Sequence, residues 1–196
     1  MKLVLATRNA HKVREFATLL APHEIVELAP EVVLPPETGA TFAENALEKA
    51  RTAARTTGVA AIADDSGIEA AALGGAPGVR AARYAGEHAS DEENLAKLLR
   101  EAPARSPLAY VCALAYVDAD GAEQVVEGRC TGTLDPRPRG DGGFGYDPAF
   151  LPDDLGDGRT MAELDTAEKD AISHRGRADR ELLVLLDSIH LSWTDR

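Results

Sequence analysis

Apolar and polar positions change their period several times along this chain, and each change marks an element. Leu3 to Ala6 is a short apolar run ended at once by Thr7-Arg8-Asn9, which predicts a buried strand. Val13, Phe16, Ala17 and Leu20 follow at helical spacing, with Asn9 placed as an N-cap. Glu24 to Leu28 alternates as a strand does, and Ala29 to Ala40, with three prolines and Gly39, predicts a loop. Thr41-Phe42-Ala43-Glu44 has the form of a capping box and opens a helix to about Thr57. Val59 to Ala63 predicts a second short buried strand, ending in Asp64-Asp65-Ser66-Gly67.

Beyond it, Ile68 to Ala85 is punctuated by Gly74-Gly75 and Pro77-Gly78, which mark turns. Ser90-Asp91-Glu92-Glu93 is another capping box, heading a helix to about Arg100. Leu108 to Val117 and Ala122 to Cys130 form a hairpin around Asp118-Ala119-Asp120-Gly121. Thr160-Met161-Ala162-Glu163 caps a brief helix. The last helix is expected from about Ser173 to His190, with Ala178, Leu182, Leu185, Leu186 and Ile189 as its apolar stripe. Interleaved strands and helices predict an α/β fold over one domain, residues 1–196, and the hairpin makes its central sheet mixed, flanked by helices.

Composition narrows the partners. The 21 basic against 33 acidic residues give a net charge of −12, a surface that repels nucleic-acid backbones and anionic membranes. No run approaches the roughly 18 apolar residues of a membrane span. Cys112 and Cys130 lie in strand-like stretches without metal-site spacing, so buried reduced thiols and a cytoplasmic location are expected.

Four segments could carry chemistry. Thr7-Arg8-Asn9-Ala10-His11-Lys12 joins the first strand to the first helix, where free backbone N–H groups and a lysine suit phosphate; a plain capped helix is the simpler reading. Asp64-Asp65 pairs two carboxylates that need a compensating cation. Mg²⁺ is one answer, with Glu37, Glu44 and Glu48 as further oxygen donors. A turn capped through Ser66-Gly67 is the other answer. Lys169, Ser173, His174 and Arg175 gather donors that fit a purine's 6-oxygen, or else form a basic helix start that the helix dipole disfavours. Three of the nine Phe, Tyr and Trp residues fall in Gly142-Gly143-Phe144-Gly145-Tyr146-Asp147-Pro148-Ala149-Phe150, a run that suits neither helix nor central strand. Exposed rings beside a carboxylate suit a nucleobase; rings tucked into the core are the alternative. Gly140 to Gly145 fits G-x-G-x-x-G, but Pro136-Arg137-Pro138 precedes it and no helix follows, so a Rossmann reading fails. Ser66 and His174 do not make a hydrolase pair, because no G-x-S-x-G surrounds Ser66.

Together these segments resemble the inosine triphosphate pyrophosphatase family. The matching pieces are Thr7-x-Asn9-x-x-Lys12, Glu37-Thr38-Gly39-x-Thr41-Phe42-x-Glu44-Asn45-Ala46, Ala63-Asp64-Asp65-Ser66-Gly67, Leu73-Gly74-Gly75-Ala76-Pro77-Gly78, Gly143-Phe144-Gly145-Tyr146-Asp147-Pro148 and Ser173-His174-Arg175. They stand in the family's order. Ala70-Ala71 and Ala81 depart from its usual residues, away from those motifs. The resemblance implies two lobes with a substrate cleft between them, usually a homodimer, and Mg²⁺-dependent hydrolysis of ITP, dITP or XTP to the monophosphate and pyrophosphate. It implies that Thr7, Arg8, Asn9, Ala10, His11 and Lys12 hold phosphates, and that Glu37 and Asp65 hold the metal, with Asp65 as proton acceptor. Ser66, Phe144, Gly145, Tyr146, Asp147, Lys169, His174 and Arg175 complete the implied substrate set, Phe144 stacking on the base. A Maf-like nucleotide pyrophosphatase and a non-catalytic purine-nucleotide binder are the alternatives. The aromatic run and Ser173-His174-Arg175 speak against the first, and the set Lys12, Glu37, Asp64 and Asp65 against the second.

Overall fold

A computed structural model describes residues 1–194, leaving aside the side chains of residues 10, 11, 14, 15 and 190–194. The strands are β1 (Lys2–Leu5), β2 (Glu24–Glu27), β3 (Ala61–Ala70), β4 (Pro77–Gly78), β5 (Pro107–Val117), β6 (Glu123–Leu134) and β7 (Phe150–Pro152). The helices are α1 (Ala10–Leu19), α2 (Phe42–Thr57), α3 (Asp91–Glu101), α4 (Thr166–Ile172) and α5 (His174–Thr194). The sheet order is β2-β1-β3-β5-β6-β7, with β4 on β3. β1 runs parallel to β2 and β3, whereas β3–β4 and β6–β7 are antiparallel, so the α/β fold has the expected mixed sheet flanked by helices.

The chain divides into two compact units. The first comprises Met1–Asp65, Cys112–Gly128 and Gly176–Arg196, and the second Ser66–Val111 and Arg129–Arg175. In the first, Leu3, Leu5, Ile62, Cys112, Leu114 and Tyr116 bury against Phe16 and Leu20 and against Ala178, Leu182 and Leu186 of α5. This is the predicted stripe, with Leu185 and Ile189 at its margin. Val4 points to the other face of β1, the strand on which α2 packs. α2 is held at both ends, by the Thr41–Glu44 capping box and by Gly58 in the left-handed conformation.

The second unit closes around Ile68, Leu95, Leu98, Leu108, Tyr110, Cys130, Leu134 and Phe150. In it β6 alternates, burying Cys130, Gly132 and Leu134 while Arg129 and Thr131 face out. Both cysteines are buried free thiols. Among the described residues no helix is long and apolar enough to cross a membrane.

Four boundaries differ from the sequence expectation. β3 does not end at Ala63 but continues through Asp64-Asp65-Ser66-Gly67 to Ala70, because partners from neighbouring helices compensate the carboxylates in place. Pro77-Gly78, expected as a turn, pairs with Glu69 and Ile68 as β4. β6 runs four residues past Cys130 to Leu134, where β7 pairs with it. The last helix is preceded by a separate short helix, α4, under its own Asp165–Glu168 capping box, with Ser173 extended between α4 and α5. Seven mostly polar residues carry too little apolar periodicity to announce such a helix.

Candidate functional site

Strand alternation decides how the two adjacent aspartates act. Asp64 shares the Ile62 face of β3, and Lys12 of α1 reaches it, Nζ to Oδ2 at 2.6 Å. Asp65 faces the other way and accepts from Asn45 Nδ2 of α2 at 2.8 Å. Lys49, one turn further along α2, donates from Nζ to Glu37 Oε1 (2.5 Å) and to the Asp64 carbonyl oxygen (2.6 Å). Asn45 stands in the Glu37–Ala46 motif without an assigned role, and nothing in the sequence reading singles out Lys49. The available signal was two polar side chains on the face of α2 that otherwise buries Phe42, Ala46, Ala50 and Ala53.

The electrostatics follow from this packing. Burial works against the Lys49 charge, yet Asp64, Glu37 and Asp65 together hold its pKa above the ordinary lysine value. Burial raises the Asp65 carboxyl above its usual range; the Asn45 hydrogen bond and Lys49 oppose this, while Glu37 and Asp64 add to it. Glu37 and Asp65 are therefore close enough to repel one another, and both offer hard oxygen donors. That set fits a small divalent cation of the Mg²⁺ kind, which takes one or two carboxylates and keeps several waters. Among the described residues no group of three or more His, Cys, Asp or Glu side chains is placed to hold a metal ion. Glu44 and Glu48, the other acidic candidates, are engaged elsewhere. Glu44 closes the capping box through the Ala40 and Thr41 N–H groups, and Glu48 pairs with Arg51.

Of the expected phosphate loop, Thr7 Oγ1 accepts from the Asn9 N–H (3.2 Å), and Asn9 Oδ1 accepts from Lys12 N–H (3.4 Å), the N-cap arrangement anticipated. Arg8 turns away: its two terminal nitrogens bind the carbonyls of Leu28, Ala29, Pro30 and Val32, tying the Ala29–Ala40 loop to the end of β1. The side chains of Ala10 and His11 lie outside the described residues.

The aromatic run separates its three rings. Phe144 is 60% exposed, Phe150 is fully buried in β7, and Tyr146 is buried with its hydroxyl donating to the Ala81 carbonyl at 2.6 Å. Asp147, only 3% exposed, organises the loop. Its Oδ2 accepts from the Phe144 N–H (3.0 Å) and Lys169 Nζ (2.6 Å), and its Oδ1 from the Tyr110 hydroxyl (2.9 Å). Gly143 sits in the left-handed region, and a Cβ there would run into Asp147 Oδ2. The Gly145 N–H donates to Asp91 Oδ2 of α3 at 2.9 Å. Lys169 Nζ lies 4.9 Å and Arg175 Cζ 6.0 Å from the Phe144 ring centroid. Both cations lie over the Phe144 ring, so the exposed ring and two positive charges are gathered in one place. His174 and Arg175, at the start of α5, are buried rather than exposed, and His174 stacks on Tyr110 with centroids 4.7 Å apart. Ser66 lies partly buried on β3.

Residues 3–185 match the model of the Ham1 family. This chain belongs to the Ham1 family. A dITP/XTP pyrophosphatase of Streptomyces avermitilis is 48% identical over 93% of this chain and 95% of that protein. One from Geobacillus kaustophilus is 50% identical over 90% of both. A HAM1 protein from Coxiella burnetii superposes with a TM-score of 0.87 at 40% identity, covering 96% of this chain and 99% of that one. The Maf-like alternative falls with this Ham1 match. Two open surface depressions, of about 570 and 470 Å³, are lined by residues between Ala76 and Arg100; the smaller includes Ala76 and Pro77 of the Leu73–Gly78 motif, and neither includes Lys12, Glu37, Asp65 or Phe144.

Proposed function

We propose that this Ham1 chain is a nucleoside-triphosphate pyrophosphatase that hydrolyses ITP, dITP and XTP to the monophosphate and pyrophosphate. The observation that carries this reading is the Lys12–Asp64 and Asn45–Asp65 arrangement on β3, beside Lys49 and Glu37. It supplies a buried carboxylate of raised pKa among cations and oxygen donors, the chemistry that phosphoanhydride hydrolysis needs. In this reading Thr7, Asn9 and Lys12 bind the phosphates at the start of α1, with the free N–H groups of its first turn. Glu37 and Asp65 hold Mg²⁺, which when bound neutralises phosphate charge and acidifies water. Asp65 takes the proton as water adds across the α–β anhydride and the bond to the leaving pyrophosphate breaks.

The base is the work of the second unit's residues. Phe144 offers a ring face, and Lys169, His174 and Arg175 offer donors to a 6-oxygen that adenine's amino group cannot match. Tyr146 and Asp147 hold the loop from within, so any contact they make with the base comes through their backbone. The reading includes one catalytic domain over residues 1–196, a homodimer, on the family resemblance, and a cytoplasmic location, which the two free thiols support.

Pyrophosphate release with Mg²⁺ from ITP, dITP, XTP, ATP and GTP tests it. A preference for the first three of about 10²-fold or more in kcat/KM is expected. Equal rates on all five, or none from folded protein, would overturn it in favour of another nucleotide or a non-catalytic binder.

A further inference from the structure

One side chain that the family motifs do not include joins the parts of the base site. Tyr110 stands on β5, in the buried core of the second unit. Its hydroxyl donates to Asp147 Oδ1, while Oδ2 of the same carboxylate holds the Phe144 N–H and the Lys169 ammonium. Its ring lies nearly parallel to His174, at 10° and 4.7 Å, and is backed by Phe150 at 4.6 Å. Tyr110 therefore touches, directly or through one carboxylate, the loop that presents Phe144, the helix that presents Lys169, and the first residue of α5.

The loop needs such a tether. Gly140, Gly143 and Gly145 all have positive φ, so its backbone has little intrinsic preference for the observed course. A carboxylate accepting three hydrogen bonds fixes it, and a rigid strand fixes the carboxylate. Burial, then the adjacent Asp147 charge and hydrogen bond, hold the Tyr110 phenol well above its ordinary pKa, so it stays a donor over the working pH range.

We infer that Tyr110 is a positioning residue for purine recognition, setting the Phe144 ring and Lys169 through Asp147 and the His174 ring by direct stacking. This rests on the functional reading above and adds to it the residue that holds the base-reading groups in register. Telling an oxygen from an amino group at one purine position requires donors placed to within about half an ångström. Tyr110 contacts Asp147, His174 and Phe150, so its loss should fall on base affinity and selectivity rather than on hydrolysis.

The test compares wild type, Tyr110→Phe and Tyr110→Leu, each checked for fold by thermal melting and near-ultraviolet circular dichroism. Phe removes the hydroxyl and keeps the stack; Leu removes both. For Tyr110→Phe, KM for ITP should rise about tenfold, the usual scale for stranding a buried acceptor. Its kcat should change by less than about threefold, and the ITP-to-ATP ratio of kcat/KM should fall. Tyr110→Leu should lose more of the same ratio. Direct titration with IMP should show the same weakening without turnover. A Tyr110→Phe enzyme that is folded, discriminates as wild type does and keeps its KM would overturn the inference alone. So would a variant that loses only Tm or active fraction, since that is a packing role. A wild type with no preference for ITP would overturn the functional reading, and this inference with it.

Discussion

Asn45 Nδ2 donates to Asp65 Oδ2 across 2.8 Å, and the bond crosses from the inner face of α2 to one face of β3. One residue earlier, Asp64 is turned to Lys12 on the opposite face. Two carboxylates adjacent in sequence are thereby separated, each with its own helix-borne partner. Asp65 is the one left beside Glu37, and the repulsion between them is part of what raises its carboxyl.

Asp65→Asn keeps the shape and removes the proposed proton acceptor. Its kcat should drop by roughly 100-fold or more, with a smaller change in KM. Steady-state kinetics on folded variant protein checks this, and a near-normal kcat would remove Asp65 from its assigned role.

If Glu37 and Asp65 hold Mg²⁺ as proposed, the ion favours the folded state by mass action. At about a hundred times its dissociation constant it should add about 2.7 kcal/mol and raise Tm accordingly. In Glu37→Gln the same titration should give a clearly smaller shift. An identical shift in both proteins would mean that Glu37 is not a ligand.

All four tyrosines resist ionisation. Burial is the largest cause at each: Tyr84 is pushed up to about 12, and Tyr110, Tyr116 and Tyr146 are also raised. Unfolded phenols titrate near 10. For an acid whose folded pKa lies above its unfolded one, the folded state keeps the proton longer. The tyrosines' contribution to stability should therefore be constant below about pH 10 and fall as pH rises beyond it. Phenolate absorbance should then appear together with the loss of secondary structure. A native phenol titrating near 10 before unfolding would contradict the packing described for it.

Gly143→Ala and Gly145→Ala both force a side chain into the left-handed region, at about 1 kcal/mol of backbone strain each. Only at Gly143 does the new Cβ strike Asp147. Gly143→Ala should weaken IMP binding markedly more than Gly145→Ala at similar loss of Tm. Equal binding losses would show that Asp147 does not hold the loop through this close approach.

Much of the framework is legible in the chain. The Thr41 and Ser90 capping boxes, the α5 stripe and the Asp118–Gly121 turn are local patterns, fixed by hydrogen bonds and side-chain spacing within a few residues. The motifs that carry the family resemblance are local as well, each a short contiguous run of residues. The end of β3 was not legible: a strand that carries Asp64-Asp65 continues only because Lys12 and Asn45, distant in sequence, arrive beside them.

The sequence alone determined the alternation of strands and helices, the family, and which residue types could bind phosphate, metal and base. Tertiary structure alone decided what each side chain does there. It gave Arg8 to loop carbonyls, buried Tyr146 and Asp147 beneath the exposed Phe144, gave the motif residue Asn45 its role on Asp65, and brought in Lys49 and Tyr110, which no motif marked. The reason is the range of the forces. Capping and periodicity act within a turn or two of chain, whereas compensating a buried charge or orienting a ring depends on partners supplied by other elements.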